Sequence, residues 1–179
     1  WMEKMEDVEE AVRDCLYPPE GRRGIGGERA SAWGQCLNEH AAEANENVLI
    51  VPMIESIAAI PNVPSMCKID GIDMFFFGPA DFSSTAGFRG QWEGPGVAEQ
   101  ILSLKDTIKA AGKHCGVVST SNQNITDRLD QGFQMLALGT DSGLLLRSLH
   151  QSLQKIDRDR SLATSLDPAD GHVISDSDS

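Results

Sequence analysis

Continuous apolar runs alternate along this chain with segments whose apolar residues recur at helical spacing. The runs predict four buried strands, at 47–55, 73–78, 114–120 and 133–139. Apolar runs of this length, bounded by turn residues, are typical of strands that are covered on both faces. Between them, apolar residues three or four positions apart predict amphipathic helices, the longest at 96–113. This alternation of strand and helix indicates a parallel sheet with right-handed crossovers.

Four strand–helix units are compatible with two α/β architectures. By count they make half of a (β/α)8 barrel, that is, a partial TIM barrel, and an open four-stranded α/β sheet is the alternative. We place the folded domain at 1–160. Residues 161–179 are rich in serine and aspartate and poor in large apolar side chains, which predicts a disordered acidic tail.

The composition argues against several classes of protein. The chain of 179 residues has a formal net charge of −12, which disfavours nucleic acid and anionic membranes as partners. Apolar runs fall well short of the ~20 residues that a membrane span requires, and we expect no signal peptide at the acidic N-terminus. The four cysteines form no Cys-x-x-Cys pair, so we expect reduced thiols and a cytoplasmic location.

Two carboxylates follow two consecutive predicted strands. Glu55 ends the first strand, and Asp81 comes just after a Gly-Pro-Ala turn at the end of the second. The carboxyl ends of parallel strands meet at one edge of a sheet, where α/β proteins bind ligands. A hard divalent cation suits such a place, since it needs one or two carboxylates and leaves other positions to water and substrate. Each acid also has a plainer interpretation, Glu55 as a polar strand end and Asp81 as a helix cap. The glycine-rich segment 84–95 predicts a loop at the same rim.

Several segments of the chain resemble motifs of one known family. They are 17–26 (YPPEGRRGIG), 53–56 (MIES), 71–73 (GID), 78–83 (GPADFS) and 138–141 (LGTD). They are similar to the HpcH/HpaI family, the metal-dependent (class II) pyruvate aldolases that act on 4-hydroxy-2-oxo acids and include fungal macrophomate synthase. The resemblance extends from about residue 7 to residue 156, which is nearly all of the predicted folded chain.

The resemblance implies a lyase with a TIM-barrel fold. Glu55 and Asp81 would hold Mg²⁺, Mn²⁺ or Co²⁺. Backbone N–H groups near Gly78 and Ala80 would meet the carboxylate of pyruvate or oxaloacetate, and Val118 would lie on the pocket wall. Cleavage of a carbon–carbon bond in a 4-hydroxy-2-oxo acid leaves a pyruvate enolate, whose charge the metal would stabilise. Decarboxylation of oxaloacetate forms the same enolate, so a macrophomate synthase-like enzyme of fungal secondary metabolism is an alternative.

The chain departs from the family pattern in one large respect. The resemblance places a histidine–aspartate pair for proton transfer, and an arginine for the keto oxygen, in an earlier half of the barrel. The four histidines do not occupy that part of the pattern, so the catalytic acid–base residues are unknown. We therefore expect a fragment or a truncated gene product. It would act as a homo-oligomer or with a partner that completes the barrel, or it would be a catalytically weak remnant that serves as a binding protein.

Overall fold

The computed structural model of this chain describes residues 1–89, 91–92, 94–119 and 123–158, together with the backbone alone of residue 122. The predicted domain boundary at 160 and the predicted tail at 161–179 lie outside the described residues. The described helices are α1 (Met5–Cys15), α2 (Leu37–Asn47), α3 (Val63–Met66), α4 (Pro79–Thr85), α5 (Val97–Ala110), α6 (Asn122–Asp130) and α7 (Asp141–Gln154). The described strands are β1 (Met53–Ile54), β2 (Met74–Phe77), β3 (His114–Val118) and β4 (Met135–Ala137), and short 3-10 helices cover Arg29–Ser31 and Ile57–Asn62.

The four strands form one parallel sheet whose spatial order, β1-β2-β3-β4, follows the chain. The register pairs Ile54 with Phe77, Phe77 with Val117, and Val117 with Leu136. Consecutive parallel neighbours joined through helices are the arrangement of successive strands in a (β/α)8 barrel. The edges of the sheet are β1 and β4.

The two faces of the sheet are covered to different extents. One face carries the buried side chains of Ile54, Phe75, Phe77, Cys115 and Val117, each no more than 1% exposed. Because side chains alternate along a strand, Met53, Phe76 and Met135 belong to the opposite face. There Met53 is 40% exposed, and Phe76 and Met135 are half-buried. The expectation of strands covered on both faces is therefore wrong for β1 and β4, since an apolar run does not reveal whether a second layer covers its far side.

The strands are shorter than the apolar runs that predict them. The run at 47–55 yields only Met53–Ile54 as a strand, because Asn47 is the last residue of helix α2 and residues 48–52 have no regular secondary structure. The run at 133–139 likewise forms a strand only at Met135–Ala137. In these flanks Ile50 and Phe133 are buried, whereas Leu49 and Leu138 are 52% and 54% exposed, so the apolar runs reflect burial only in part.

The main core lies between the buried face of the sheet and the helices α1, α3 and α5. Helix α5 contributes most, through Val97, Ile101, Leu104 and Ile108. Full burial of each such side chain is worth about 1.5–3 kcal/mol. Helix α5 is capped at its N-terminus by Gly96, whose N–H donates to the carboxylate of Glu99 at 2.9 Å. Among the described residues, no helix combines the length and the apolar character needed to cross a membrane.

Candidate active site

The parallel register brings Glu55, Gly78 and Val118 to one level at the carboxyl edge of the sheet. Ile54 pairs with Phe77, so the next residues along the two strands, Glu55 and Gly78, stand side by side. The N–H of Gly78 donates to the carbonyl of Ile54 at 3.0 Å, which extends the pairing to that level. Val118, which pairs with Ala137, follows Val117 on the next strand. Three of the predicted site residues thus occupy neighbouring strand ends.

The side chain of Glu55 packs directly against Gly78. A Cβ atom on Gly78 would lie 3.0 Å from Cβ of Glu55, 3.1 Å from its Oε2 and 3.3 Å from Sδ of Met53. The φ angle of Gly78 is −101°, which any residue can adopt. Glycine is therefore needed here for space, because a side chain would displace the carboxylate of Glu55.

Asp81 lies in the first turn of α4, the helix that follows β2 directly. Gly78 is the N-cap and Pro79 the first helical residue, a position that suits proline because its missing N–H would have no intrahelical acceptor. The N–H of Phe82 donates to Gly78 O at 3.0 Å, and the buried ring of Phe82 fixes the helix to the core. The interpretation of Asp81 as the helix cap is wrong, since Gly78 holds that position and Asp81 is an exposed residue inside the helix.

The resemblance implies two backbone donors for a substrate carboxylate, the N–H groups of Gly78 and Ala80, and only one of them is available. The N–H of Gly78 already donates to Ile54 within the sheet. Ala80 is exposed and stands in the first turn of α4, where N–H groups have no acceptor in their own helix. Ala80 therefore offers the available donor, and the contribution of Gly78 is the room it leaves for Glu55.

The carboxylates of Glu55 and Asp81 have no ion-pair or hydrogen-bond partner within the part of the chain that the structure describes. Glu55 is half-buried and Asp81 is exposed. Glu55 lies beside the residue that caps the helix of Asp81, so both acids belong to the same corner of the carboxyl edge. Two such hard oxygen donors fit a divalent cation, which leaves its remaining positions to water and to substrate oxygens. In the described ranges, no three His, Cys, Asp or Glu side chains form a metal-binding group.

Two of the described histidines have a defined place in the fold. His114 pairs with Met74 at the amino end of β3, the end of the strand opposite to Val118. His40 packs edge-on against the ring of Tyr17, with centroids 6.3 Å apart. The strand position of His114 is therefore at the end of β3 opposite to the level of Glu55.

Thr85 is a site residue that the sequence pattern does not indicate: it is the last residue of α4, so the predicted rim loop does not begin at 84. Its hydroxyl accepts a hydrogen bond from the N–H of Ile57 at 3.1 Å and donates to the carbonyl of Phe82 at 2.9 Å. A threonine in a run of small polar residues has no signature that distinguishes this contact from exposure to solvent. Sequence patterns alone could not have found it.

Comparisons with known proteins identify the family to which the chain is similar. The family model of the HpcH/HpaI aldolase/citrate lyases matches residues 1–148. The chain is 38% identical over 136 residues to a 4-hydroxy-2-oxovalerate aldolase of Rhodococcus jostii, a match that covers 76% of this chain and 52% of the relative. The chain thus spans about half the length of this curated relative.

Solved structures are similar over most of the chain. An HpcH/HpaI aldolase/citrate lyase family protein from Burkholderia cenocepacia has a TM-score of 0.78 and 27% identity, over 88% of this chain and 63% of that one. Macrophomate synthase has a TM-score of 0.71 and 24% identity, over 87% of this chain and 56% of that one, which is a likeness of fold alone. These similarities confirm the predicted fold class, α/β with part of a TIM barrel. Because the family model matches most of its residues, the chain belongs to the HpcH/HpaI aldolase/citrate lyase family.

Proposed function

We propose that this chain carries the metal-binding part of a carbon–carbon lyase, in which Glu55 and Asp81 hold a divalent cation. The observation that carries the proposal is the position of two carboxylates at adjacent strand–helix turns of one sheet edge, neither of which has a partner among the described residues. The substrate would be a 2-oxo acid, either a 4-hydroxy-2-oxo acid that releases pyruvate or oxaloacetate. The name of the Rhodococcus relative, a 4-hydroxy-2-oxovalerate aldolase, supports the first.

The donor set fits Mg²⁺, Mn²⁺ or Co²⁺, since oxygen ligands and a partly solvated site suit hard or borderline cations. When bound, the cation would supply Lewis-acid stabilisation of the charge that develops on the 2-oxo acid as the carbon–carbon bond breaks. Glu55 and Asp81 would repel one another without it, so we expect the cation also to stabilise this corner of the fold.

The remaining residues of the edge would bind and orient the substrate. The N–H of Ala80 would donate to the substrate carboxylate, because it stands in the first turn of α4, where the helix provides no acceptor. Val118, half-buried on β3 at the level of Gly78, would form the apolar wall on the far side. Gly78 would keep the carboxylate of Glu55 in place by leaving room for it.

The two candidate reactions differ in the proton that they require to move. Aldol cleavage of a 4-hydroxy-2-oxo acid needs a base for the proton of the 4-hydroxyl, whereas decarboxylation of oxaloacetate needs none in the bond-breaking step. His114 lies at the amino end of its strand, away from Glu55. Oxaloacetate decarboxylation, a macrophomate synthase-like activity suited to fungal secondary metabolism, is therefore the reaction that the residues of this edge best support on their own.

The experiment that tests the proposal measures metal binding and turnover together. Mn²⁺ affinity would be followed by electron paramagnetic resonance, and pyruvate release from oxaloacetate and from 4-hydroxy-2-oxovalerate by a coupled assay. We expect Glu55→Gln and Asp81→Asn each to weaken Mn²⁺ binding and to abolish metal-dependent turnover. Glu46→Gln, which neutralises an exposed carboxylate on α2, is the matched control. The site assignment is wrong if both site variants bind Mn²⁺ as the wild-type chain does.

A second candidate function, as a binding protein, is favoured by the sheet face that bears Met53. Met53 is 40% exposed on the edge strand β1, and Phe76 beside it is half-buried. Exposed apolar faces and edge strands favour association, either with a second copy of the chain or with a partner that completes the barrel. Light scattering together with thermal unfolding discriminates the two functions. A monodisperse monomer that unfolds cooperatively would contradict a requirement for a partner.

The net charge bears on the binding partners of the chain, and the free thiols bear on its location in the cell. A net charge of −12 is unfavourable for binding to nucleic acid or anionic lipid. All four cysteines are free thiols, which fits the reducing cytoplasm that we propose as the location.

A further inference from the structure

One side chain joins the two segments that carry the candidate metal ligands. Thr85 ends helix α4, whose first turn contains Asp81. Its Oγ1 accepts a hydrogen bond from the N–H of Ile57, two residues after Glu55, at 3.1 Å. The single proton of the hydroxyl goes to the carbonyl of Phe82 at 2.9 Å, which leaves a lone pair directed to Ile57.

The backbone on both sides of Glu55 is thereby tied to the segment 78–85. On the N-terminal side, the carbonyl of Ile54 accepts from the N–H of Gly78 at 3.0 Å. On the C-terminal side, the N–H of Ile57 is held by Thr85. The first of these bonds belongs to the sheet and is found wherever parallel strands pair. The second is made by a side chain, and it fixes the direction in which the chain leaves the strand after Glu55.

The bond to Thr85 is more important for position than for stability. Ile57 is the first residue of a 3-10 helix, and its N–H is one of the donors that a helix start leaves without an intrahelical acceptor. Ser56 accepts the next donor, from Ala58, at 3.2 Å. The residue Ile57 is 38% exposed, and we expect water to accept its N–H when the threonine hydroxyl is removed. The fold would survive that change, but the loop after Glu55 would no longer be fixed relative to α4.

We propose that Thr85 is a positioning residue that sets the separation of the Glu55 and Asp81 carboxylates and thereby selects for a small octahedral cation. The inference rests on the proposed metal site. Mg²⁺ requires near-ideal octahedral geometry at about 2.0–2.1 Å, whereas Ca²⁺ accepts variable geometry at about 2.3–2.6 Å. A loosened pair of carboxylates therefore loses affinity for Mg²⁺ and keeps affinity for Ca²⁺. Residues that orient metal ligands typically change metal affinity by roughly 10–100-fold.

The test compares Mg²⁺ and Ca²⁺ affinities of the 179-residue chain, measured by displacement of Mn²⁺. In Thr85→Val we expect Mg²⁺ binding to weaken by about tenfold or more, with Ca²⁺ binding little changed. Thr85→Ser keeps both hydrogen bonds and should retain the wild-type ratio of the two affinities. Thr107→Val is the matched control, because the hydroxyl of Thr107 donates only to Ser103 O within its own helix, at 3.0 Å.

A second variant removes the same hydrogen bond from its other end. Ile57→Pro deletes the donor and leaves Thr85 intact, and proline is suited to the first position of a helix that follows an extended residue such as Ser56. It should lower the ratio of Mg²⁺ to Ca²⁺ affinity as Thr85→Val does, and the double variant should be no worse than either single one.

Three results overturn the inference. They are an unchanged affinity ratio in Thr85→Val, an unchanged ratio in Ile57→Pro, and an equal loss of both cations, which would indicate general destabilisation. If the wild-type chain binds neither cation, the proposed metal site fails and the role of Thr85 fails with it. That result is distinguishable, because it appears before any variant is made.

Discussion

The carboxylate oxygen Oε2 of Glu55 lies 3.1 Å from the point that a Cβ atom on Gly78 would occupy. The two residues stand side by side because β1 and β2 are parallel neighbours in a register that pairs Ile54 with Phe77. The functional group of one residue thus fills the space left free by the other. Gly78 also caps the helix that carries Asp81, so this contact connects the surroundings of both candidate ligands.

Replacement of Gly78 by alanine should disturb the site before it disturbs the fold. The added methyl group would meet Cβ of Glu55 at 3.0 Å and force its carboxylate away. Overpacking of this kind costs about 1–3 kcal/mol, and we expect Mn²⁺ affinity to fall by about tenfold or more. Gly24→Ala is the control, since a Cβ there meets nothing within 4 Å. Equal Mn²⁺ affinities in the two variants would show that the packing of Glu55 on Gly78 is unimportant for binding.

Metal should stabilise the folded chain. A ligand that binds only the native state at a hundredfold excess over its dissociation constant adds roughly 2.7 kcal/mol to the free energy of unfolding. For a chain of this size, each kcal/mol raises the melting temperature by about 2–4 °C. Thermal unfolding across a Mn²⁺ titration measures the shift, and the double variant Glu55→Gln, Asp81→Asn should show none. A constant melting temperature in the wild-type chain would mean that the two acids do not act together.

Turnover should differ between the two candidate substrates. We expect the chain to decarboxylate oxaloacetate with Mn²⁺ and to cleave 4-hydroxy-2-oxovalerate more slowly. A positioned base contributes about 10²–10⁴-fold to aldol cleavage, and His114, at the far end of β3, is not placed to act as one. Initial rates of pyruvate formation from both substrates measure the difference. A faster aldol reaction would reveal that another residue of the chain has the role of the base.

The buried thiol of Cys115 should make stability depend on pH in the alkaline range. Burial raises the pKa of Cys115 from 9.0 to about 12. Below about pH 9 the thiol is neutral in both states. Between pH 9 and 12 the unfolded chain loses the proton and the folded chain keeps it, so the free energy of unfolding falls as pH rises, by at most about 1.4 kcal/mol per pH unit.

Chemical unfolding of the wild-type chain and of Cys115→Ala between pH 8 and pH 11 provides the measurement. The variant is expected to be less stable at pH 8, because it leaves a small cavity, but to lose less stability as pH rises. Cys36→Ala, which removes a half-buried thiol, is the control. If the free energy of unfolding falls equally with pH in the wild type and in Cys115→Ala, the buried thiol of Cys115 is not the cause of the fall.

The sequence by itself determined the order of strands and helices and the positions of the candidate metal ligands along the chain. The apolar runs at 47–55 and 73–78 were sufficient to place Glu55 at the end of one strand and Asp81 a few residues after the end of the next, because the end of a run is a local property of the chain. Strand–helix alternation was likewise sufficient for the α/β class and the parallel sheet, since parallel strands require a long crossover. The motifs at 53–56 and 78–83 were sufficient for the family.

Only the tertiary structure decided how these pieces meet. The pattern of one strand shows which side chains share a face, but not which residue of the neighbouring strand lies opposite. The common level of Glu55, Gly78 and Val118 is therefore set by the register between strands. The open face at Met53 depends on which layers pack against the sheet. The hydrogen bond from Ile57 to Thr85 joins residues 28 positions apart. No local pattern encodes such a contact, because it exists only after helix α4 has packed beside the end of β1.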